Sequence, residues 1–274
     1  MLHRGSGTFC VYASVFFSLT LLPASLSAGG RGLQAENTAA TPDPQPILVE
    51  LFTSKGCSSC PPADILLQKL DADQPIPGAQ LIVLSEHVDY WDHDGWKDPN
   101  SSALLTERQT SYERVLGRDT AYTPQMIVDG TSEPRLTNPQ QVEDVLQKAK
   151  TTPVIPVRIG EVTVVPGNPD IVLAHIEADA NSDKHNAEVY VAVALDHVDS
   201  QVLRGENGGR HLTHVAVVQE LRKIGKLPKG KSFAEDVRLQ FKPGTDPKNI
   251  RLIAFVQETG PGKLLGAALR KPAN

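Results

Sequence analysis

The apolar positions change rhythm near residue 150. Before it, short unbroken apolar runs alternate with segments of helical spacing. Ile47-Leu48-Val49-Glu50-Leu51-Phe52 predicts a buried strand, and residues 53–56 a turn. Cys57-Ser58-Ser59-Cys60-Pro61-Pro62 then opens a helix carrying Ile65, Leu66, Leu67 and Leu70. Leu81-Ile82-Val83-Leu84 predicts a second buried strand. Asp98-Pro99 and Ser101-Ser102 are start signals for a helix bearing Leu104, Leu105, Tyr112, Val115 and Leu116, and Gly117 can end it. Met126-Ile127-Val128 is a third strand, closed by the turn pair Asp129-Gly130 and a short return strand. Asn138-Pro139-Gln140-Gln141 reads as a capping box, with Gln141 reaching back to Asn138, ahead of Val142, Val145 and Leu146. Strands alternating with helices imply a largely parallel sheet covered on both faces.

Pro153 and Pro156 mark a linker, and the pattern then becomes alternating and β-branched. Strands are expected over 157–165, 171–178, 189–198, 215–221, 237–241, 250–256 and 264–269, with turns such as Pro166-Gly167-Asn168 between them. That spacing predicts an antiparallel β-sandwich.

The N-terminus follows another plan. Arg4, an apolar stretch from Phe9 to Leu22, Pro23 and the small-residue run Ala24-Ser25-Leu26-Ser27-Ala28 describe a cleavable secretory signal over 1–28. The competing reading is an uncleaved anchor, but the stretch is short for the ~20 residues of a span. Residues 29–45 read as a flexible linker. The expectation is a periplasmic or secreted protein with no stable membrane span after cleavage. The net charge is −5 with no basic cluster, which argues against a nucleic-acid partner.

Export changes the cysteine arithmetic. Of three cysteines, Cys10 lies in the signal, so Cys57 and Cys60 remain as one Cys-x-x-Cys in an oxidising compartment. So small a loop removes little unfolded-chain entropy when closed, which favours chemistry over framework. At a helix start, Cys57 would be an exposed thiolate stabilised by backbone N–H groups, the helix dipole and Lys55. Cys60, one turn in, would resolve mixed disulfides. Half of a zinc site and an inert disulfide are the alternatives. The strand before and the helix after favour the redox reading. Glu50 reads as an outward strand residue or a partner of Lys55, with a buried proton acceptor as the alternative.

Residues 86–96 hold both tryptophans and a dense polar-aromatic cluster, placed after a strand where α/β domains carry functional loops. Packing and an active-site rim are favoured there over a metal site built from Cys57, Cys60, His87 and His93. Arg204-Gly205-Glu206-Asn207-Gly208-Gly209-Arg210-His211-Leu212-Thr213-His214 reads as a long glycine-rich hairpin, since its glycine spacing is wrong for a phosphate loop.

Cys57-x-x-Cys60 together with Thr123-Pro124 ahead of the third strand resembles thioredoxin. That resemblance implies a cis proline at Pro124 and substrate docking at Thr123; Trp91, in the 86–96 segment, would lie on the active-site rim. Gly56 and Pro61-Pro62 depart from it, so the helix cannot start much before Ser58. More narrowly, Glu50-Leu51-Phe52-Thr53-Ser54, then Gly56-Cys57-Ser58-Ser59-Cys60-Pro61-Pro62-Ala63-Asp64, His87-Val88-Asp89-Tyr90-Trp91 and Thr123-Pro124-Gln125-Met126 resemble a bacterial family of secreted proteins, domain of unknown function 1223. The fold expected is an α/β thioredoxin-like domain over 46–151 followed by an antiparallel β-sandwich domain over 152–274. The function expected is thiol-disulfide exchange on a protein thiol or disulfide partner. Cys57 and Cys60 would be catalytic, and Thr123, Pro124 and Trp91 would bind substrate, with no cofactor and no metal. Metal delivery and a non-catalytic envelope adaptor are the alternatives.

Overall fold

In a computed structural model, β1 (Gln45–Thr53) is the buried strand that its apolar run predicts. It lies between β2 (Ala79–His87), which runs parallel to it, and β3 (Gln125–Val128), which runs antiparallel. A strand covered on both faces loses the polar alternation of a surface strand. The structure describes Tyr12 and residues 43–272, except 94 and 184. The signal over 1–28 and nearly all of the linker over 29–45 lie outside the described residues. No helix among the described residues is long and apolar enough to cross a membrane.

Three helices form in the segments that the sequence marks for them. α1 spans Pro61–Asp73, α2 Ala103–Leu116 and α3 Pro139–Lys150. Ser102 caps α2 by accepting from the Leu104 N–H, and Gly117 ends it at φ 67°. Asn138 caps α3 by accepting from the Gln141 N–H. The Gln141 side chain does not reach back to Asn138; its Oε1 accepts from the Arg135 N–H at 2.9 Å. The Asp129-Gly130 turn forms, but the expected return strand shrinks to one bridge between Val128 and Ser132. The turn is used elsewhere. Asp129 Oδ1 accepts from the Leu48 N–H at 2.8 Å, and the Asp129 carbonyl accepts from Leu264 N–H at 3.0 Å.

The second half forms β4 (Val157–Ile159), β5 (Thr163–Val165), β6 (Asn168–Ala178), β7 (Ala187–Gln201), β8 (His211–Leu227), β9 (Phe233–Gln240), β10 (Ile250–Glu258) and β11 (Leu264–Arg270). The expectation of a self-contained sandwich is corrected. One seven-stranded sheet runs in the order β11-β10-β7-β8-β2-β1-β3, joined where Ser85 on β2 pairs in parallel with Val217 on β8. A second, four-stranded sheet has β6 at its centre, paired with β4, β5 and β9.

Two sheets do pack face to face, but the larger is the continuation of the α/β sheet. Along β10, Leu252, Ala254 and Val256 pack with β6 and β9 residues such as Val172, Ile176 and Leu239. The alternate residues Ile253 and Phe255 join the core built on Ile82, Leu67 and Leu105. Both faces of β7 and β10 are therefore buried. Polar ties reinforce the join: Arg251 on β10 donates both Nη groups to Asp71 on α1, at 2.8 and 2.9 Å. Residues 43–272 fall within one compact unit.

Candidate functional site

β1 ends at Thr53 and leads into a tight turn in which the Cys57 N–H donates to the Ser54 carbonyl at 3.1 Å. Cys60 is the cap residue of α1, with Pro61 and Pro62 as its first two positions. Prolines are tolerated there because those N–H groups have no intrahelical partner. The same chemistry removes donors that a thiolate could use. The helix thus begins later than its sequence suggests, and Cys57 sits three residues ahead of the cap, bridged by a Cys60 N–H to Cys57 carbonyl bond of 3.3 Å. Cys57 and Cys60 form a disulfide. Cys57 was expected to be exposed; both cysteines are 0% exposed.

The other sequence-predicted residues converge here. Thr123-Pro124 is a cis peptide. Ser59 Oγ lies 3.3 Å from Cys57 Sγ and 3.5 Å from the Thr123 carbonyl oxygen. Trp91 Nε1 donates to Thr123 Oγ1 at 2.7 Å, tying the loop after β2 to the proline loop. Gly56 permits this: a Cβ there would stand 3.1 Å from Trp91 Cβ and 3.3 Å from its carbonyl oxygen. Ser59, Tyr122, Pro124, Met126 and Arg135 line a groove of about 340 Å³ beside the disulfide.

Polar residues are buried around the same turn. Asp98 accepts from His87 Nδ1 at 2.6 Å and from the Lys55 N–H at 2.9 Å, with Lys55 Nζ 3.7 Å away. Burial would raise the Asp98 carboxyl, but His87 and Lys55 outweigh it and hold it below the usual carboxylate range. Burial pulls the Lys55 ammonium below its ordinary value despite Asp98. On α1, one turn beyond Cys60, Asp64 accepts from Thr53 Oγ1 at 2.8 Å and faces His214 Nε2 at 3.4 Å. His214 is pulled down, first by burial. Its ring lies edge-on to His87, with centroids 4.9 Å apart. His87 Nδ1 is paired with Asp98, while its buried Nε2 has no hydrogen-bond partner, and His93 is exposed. Among the described residues, the cluster of candidate metal-ligand atoms lying within 4.8 Å of one another is Asp183, His185 and Glu258, which includes neither cysteine nor His87.

Glu50 departs from its expected place. It is fully buried, and its partners are Arg108 Nε at 2.6 Å and the Tyr112 hydroxyl at 2.5 Å, not Lys55. Arg108 and Tyr112 both reach Gln257 on β10, at 3.1 and 2.8 Å. Glu86, on the neighbouring strand, has its carboxyl pushed well up by burial and then by the Glu50 charge. This network stitches α2 to both halves of the sheet.

The hairpin between β7 and β8 also departs from its bland reading. Asn207, at its tip, is 0% exposed. Its Nδ2 donates to the Lys55 and Cys57 carbonyls, each at 2.9 Å, while its Oδ1 accepts from Arg210 Nη1 at 2.9 Å. Glu206 Oε2 accepts from the Ser58 N–H at 3.2 Å, and bonding to the Ser58 side chain and then to this N–H holds its carboxyl below the ordinary value. Asn207, Asp98 and His214 are the residues that sequence reasoning passed over. A single asparagine between two glycine turns was the available signal for the first.

Comparison with known proteins fits this architecture. The crystal structure of protein AGR_C_4864 from Agrobacterium tumefaciens is 27% identical, with a TM-score of 0.65, covering 83% of this chain and 94% of that one. Two fragmentary likenesses carry no argument. Alkylpurine DNA glycosylase AlkC of Pseudomonas fluorescens is 14% identical, covers 43% of this chain and 30% of its own, and has a TM-score of 0.20. A β-glucosidase of Listeria innocua is 12% identical, covers 44% of this chain and 16% of its own, and has a TM-score of 0.24. No curated protein matches. The family described as "Protein of unknown function (DUF1223)" matches residues 48–257, and the chain belongs to that family.

Proposed function

We propose that this protein is an exported thiol-disulfide oxidoreductase, periplasmic or secreted, acting on protein thiols through Cys57 and Cys60. The observation that carries the reading is the position of the disulfide, at the start of α1 and beside both Trp91 and the Thr123–cis-Pro124 loop. The strand order β2-β1-β3, with α1 leaving β1 and β3 antiparallel after Pro124, supports a thioredoxin-like reading of the first half. A bridge with a sequence separation of 3 constrains the unfolded chain little, so stability gives it a weak reason to exist.

In the exchange, a partner thiolate attacks Cys57 Sγ. The S–S bond breaks and Cys60 leaves with the electron pair, then takes a proton. A second partner thiolate displaces Cys57, leaving the partner oxidised and the pair reduced by the same two electrons. The reverse sequence reduces a partner disulfide. Thr123 would present its backbone to the partner chain, with Pro124 and Trp91 shaping the contact.

The test is the reduction potential of the pair, measured by equilibrating the chain without its first 28 residues in glutathione buffers. Pro61 and Pro62 leave few N–H groups to stabilise a thiolate, so the value is expected nearer about −270 mV than about −120 mV. A pair that never forms a disulfide, or is reduced only far below that range, would sink the reading.

A further inference from the structure

The closed state poses a contradiction for exchange chemistry. Attack needs a partner sulfur in line with the S–S bond, yet both cysteines are 0% exposed. Some covering element must move. β1 and α1 belong to the packed core, whereas the β7–β8 hairpin tip reaches the cysteine turn from about 150 residues away in sequence.

We propose that residues 202–210 form a hinged lid over the Cys57–Cys60 disulfide, with Asn207 as its latch, regulating the exchange site proposed above and resting on that reading. The tip is an internally bonded unit. Val202 N–H donates to the Arg210 carbonyl at 2.9 Å, Gly209 N–H to the Val202 carbonyl at 2.8 Å, and Gly208 N–H to the Gly205 carbonyl at 3.0 Å. Gly205 and Gly209, at φ 77° and 82°, allow the chain to double back. A unit closed on itself can swing about its two stems without unfolding. Its ties to the cysteine turn include the two Asn207 amide bonds and the Glu206–Ser58 bond. Arg210 holds the amide oxygen, which points the Asn207 NH2 at the two carbonyls. The latch therefore grips the backbone of Cys57 itself. Glu206 adds an electrostatic bias: its carboxylate occupies the N–H of Ser58, the residue that follows Cys57, and so brings a negative charge to the cysteine turn. Lid opening would precede attack, as in enzymes whose loops gate access.

The experiment compares the rate of disulfide reduction by dithiothreitol in the wild-type chain, Asn207→Ala and Glu206→Gln, each also in low urea. Loss of the two latch bonds is expected to speed reduction about tenfold, and loss of the Glu206 charge about two- to threefold. Local opening exposes little surface, so these rates should change little with urea, unlike reduction through global unfolding. Glu206 is exposed, so its variant tests the lid even where Asn207→Ala does not fold. Equal rates in all folded proteins, or a steep urea dependence, would overturn the lid and leave the exchange reading standing. Resistance of all three to reduction would instead remove the exchange reading, and the lid with it.

Discussion

Asp129 shows how one buried group sets a pH response. It accepts from the Leu48 N–H, which favours its charged form, and Lys263 helps. Burial and the Glu50 charge win, and its carboxyl is pushed up to about 7. Below about pH 4 both folded and unfolded chains hold this proton, and no penalty exists. As pH rises, the unfolded chain releases it first, so stability falls until the folded group also ionises near pH 7. Asp129→Asn keeps an acceptor for Leu48 and suits the residue's φ of 48°. It is expected to stabilise the protein by about 2–4 kcal/mol at pH 8 and by almost nothing at pH 4. Urea titrations at the two pH values would measure this; an equal effect at both would contradict it. Gly56 makes a steric case at the same scale. Gly56→Ala presses a methyl carbon against Trp91, and overpacking of that kind costs about 1–3 kcal/mol. Urea unfolding should register the loss, and an unchanged midpoint would mean the Trp91 loop yields freely.

At the scale of elements, local pattern served well. The apolar run at 47–52 became the buried strand β1, and the start signals at Ser102 and Asn138 became working caps. These depend on neighbours within a few residues, so the chain itself specifies them. α1 is the instructive exception. Its apolar face suggested a helix from the cysteines, but two successive prolines moved its first residue to Pro61. Cys57 was thereby left in a turn, with fewer N–H groups for a thiolate than a helix start would give.

The whole molecule departs most from a residue-by-residue reading. Ile250, Leu252, Ile253, Ala254, Phe255 and Val256 are nearly continuous apolar sequence, and a strand of a two-faced sandwich should alternate. The run was legible as a strand, but its lack of alternation was the sign that both faces would be buried. Because β7, β8 and β10 contribute to the core over α1, a fragment of residues 43–151 lacks Ala192, Ala216, Val218, Ile253 and Phe255 from that core. It also loses Gln257 from the Arg108 network and Arg251 from Asp71. The fragment is expected to unfold without a cooperative urea transition, while residues 43–272 unfold in one. Circular dichroism would check this, and a sharp transition in the fragment would show that the first half is a domain in its own right.

The sequence by itself determined the elements, the cysteine pair, and the candidates Trp91, Thr123 and Pro124 that meet beside it. Those follow from spacing, turn chemistry and motif, all local properties. Tertiary structure alone decided which polar groups are partners. Glu50 chose Arg108, Lys55 chose Asp98, and Asn207 closed over a cysteine turn 150 residues earlier in the chain. The physical reason is that a buried polar group is satisfied by whatever the folded core brings within hydrogen-bonding distance, and no periodicity along the chain encodes that meeting.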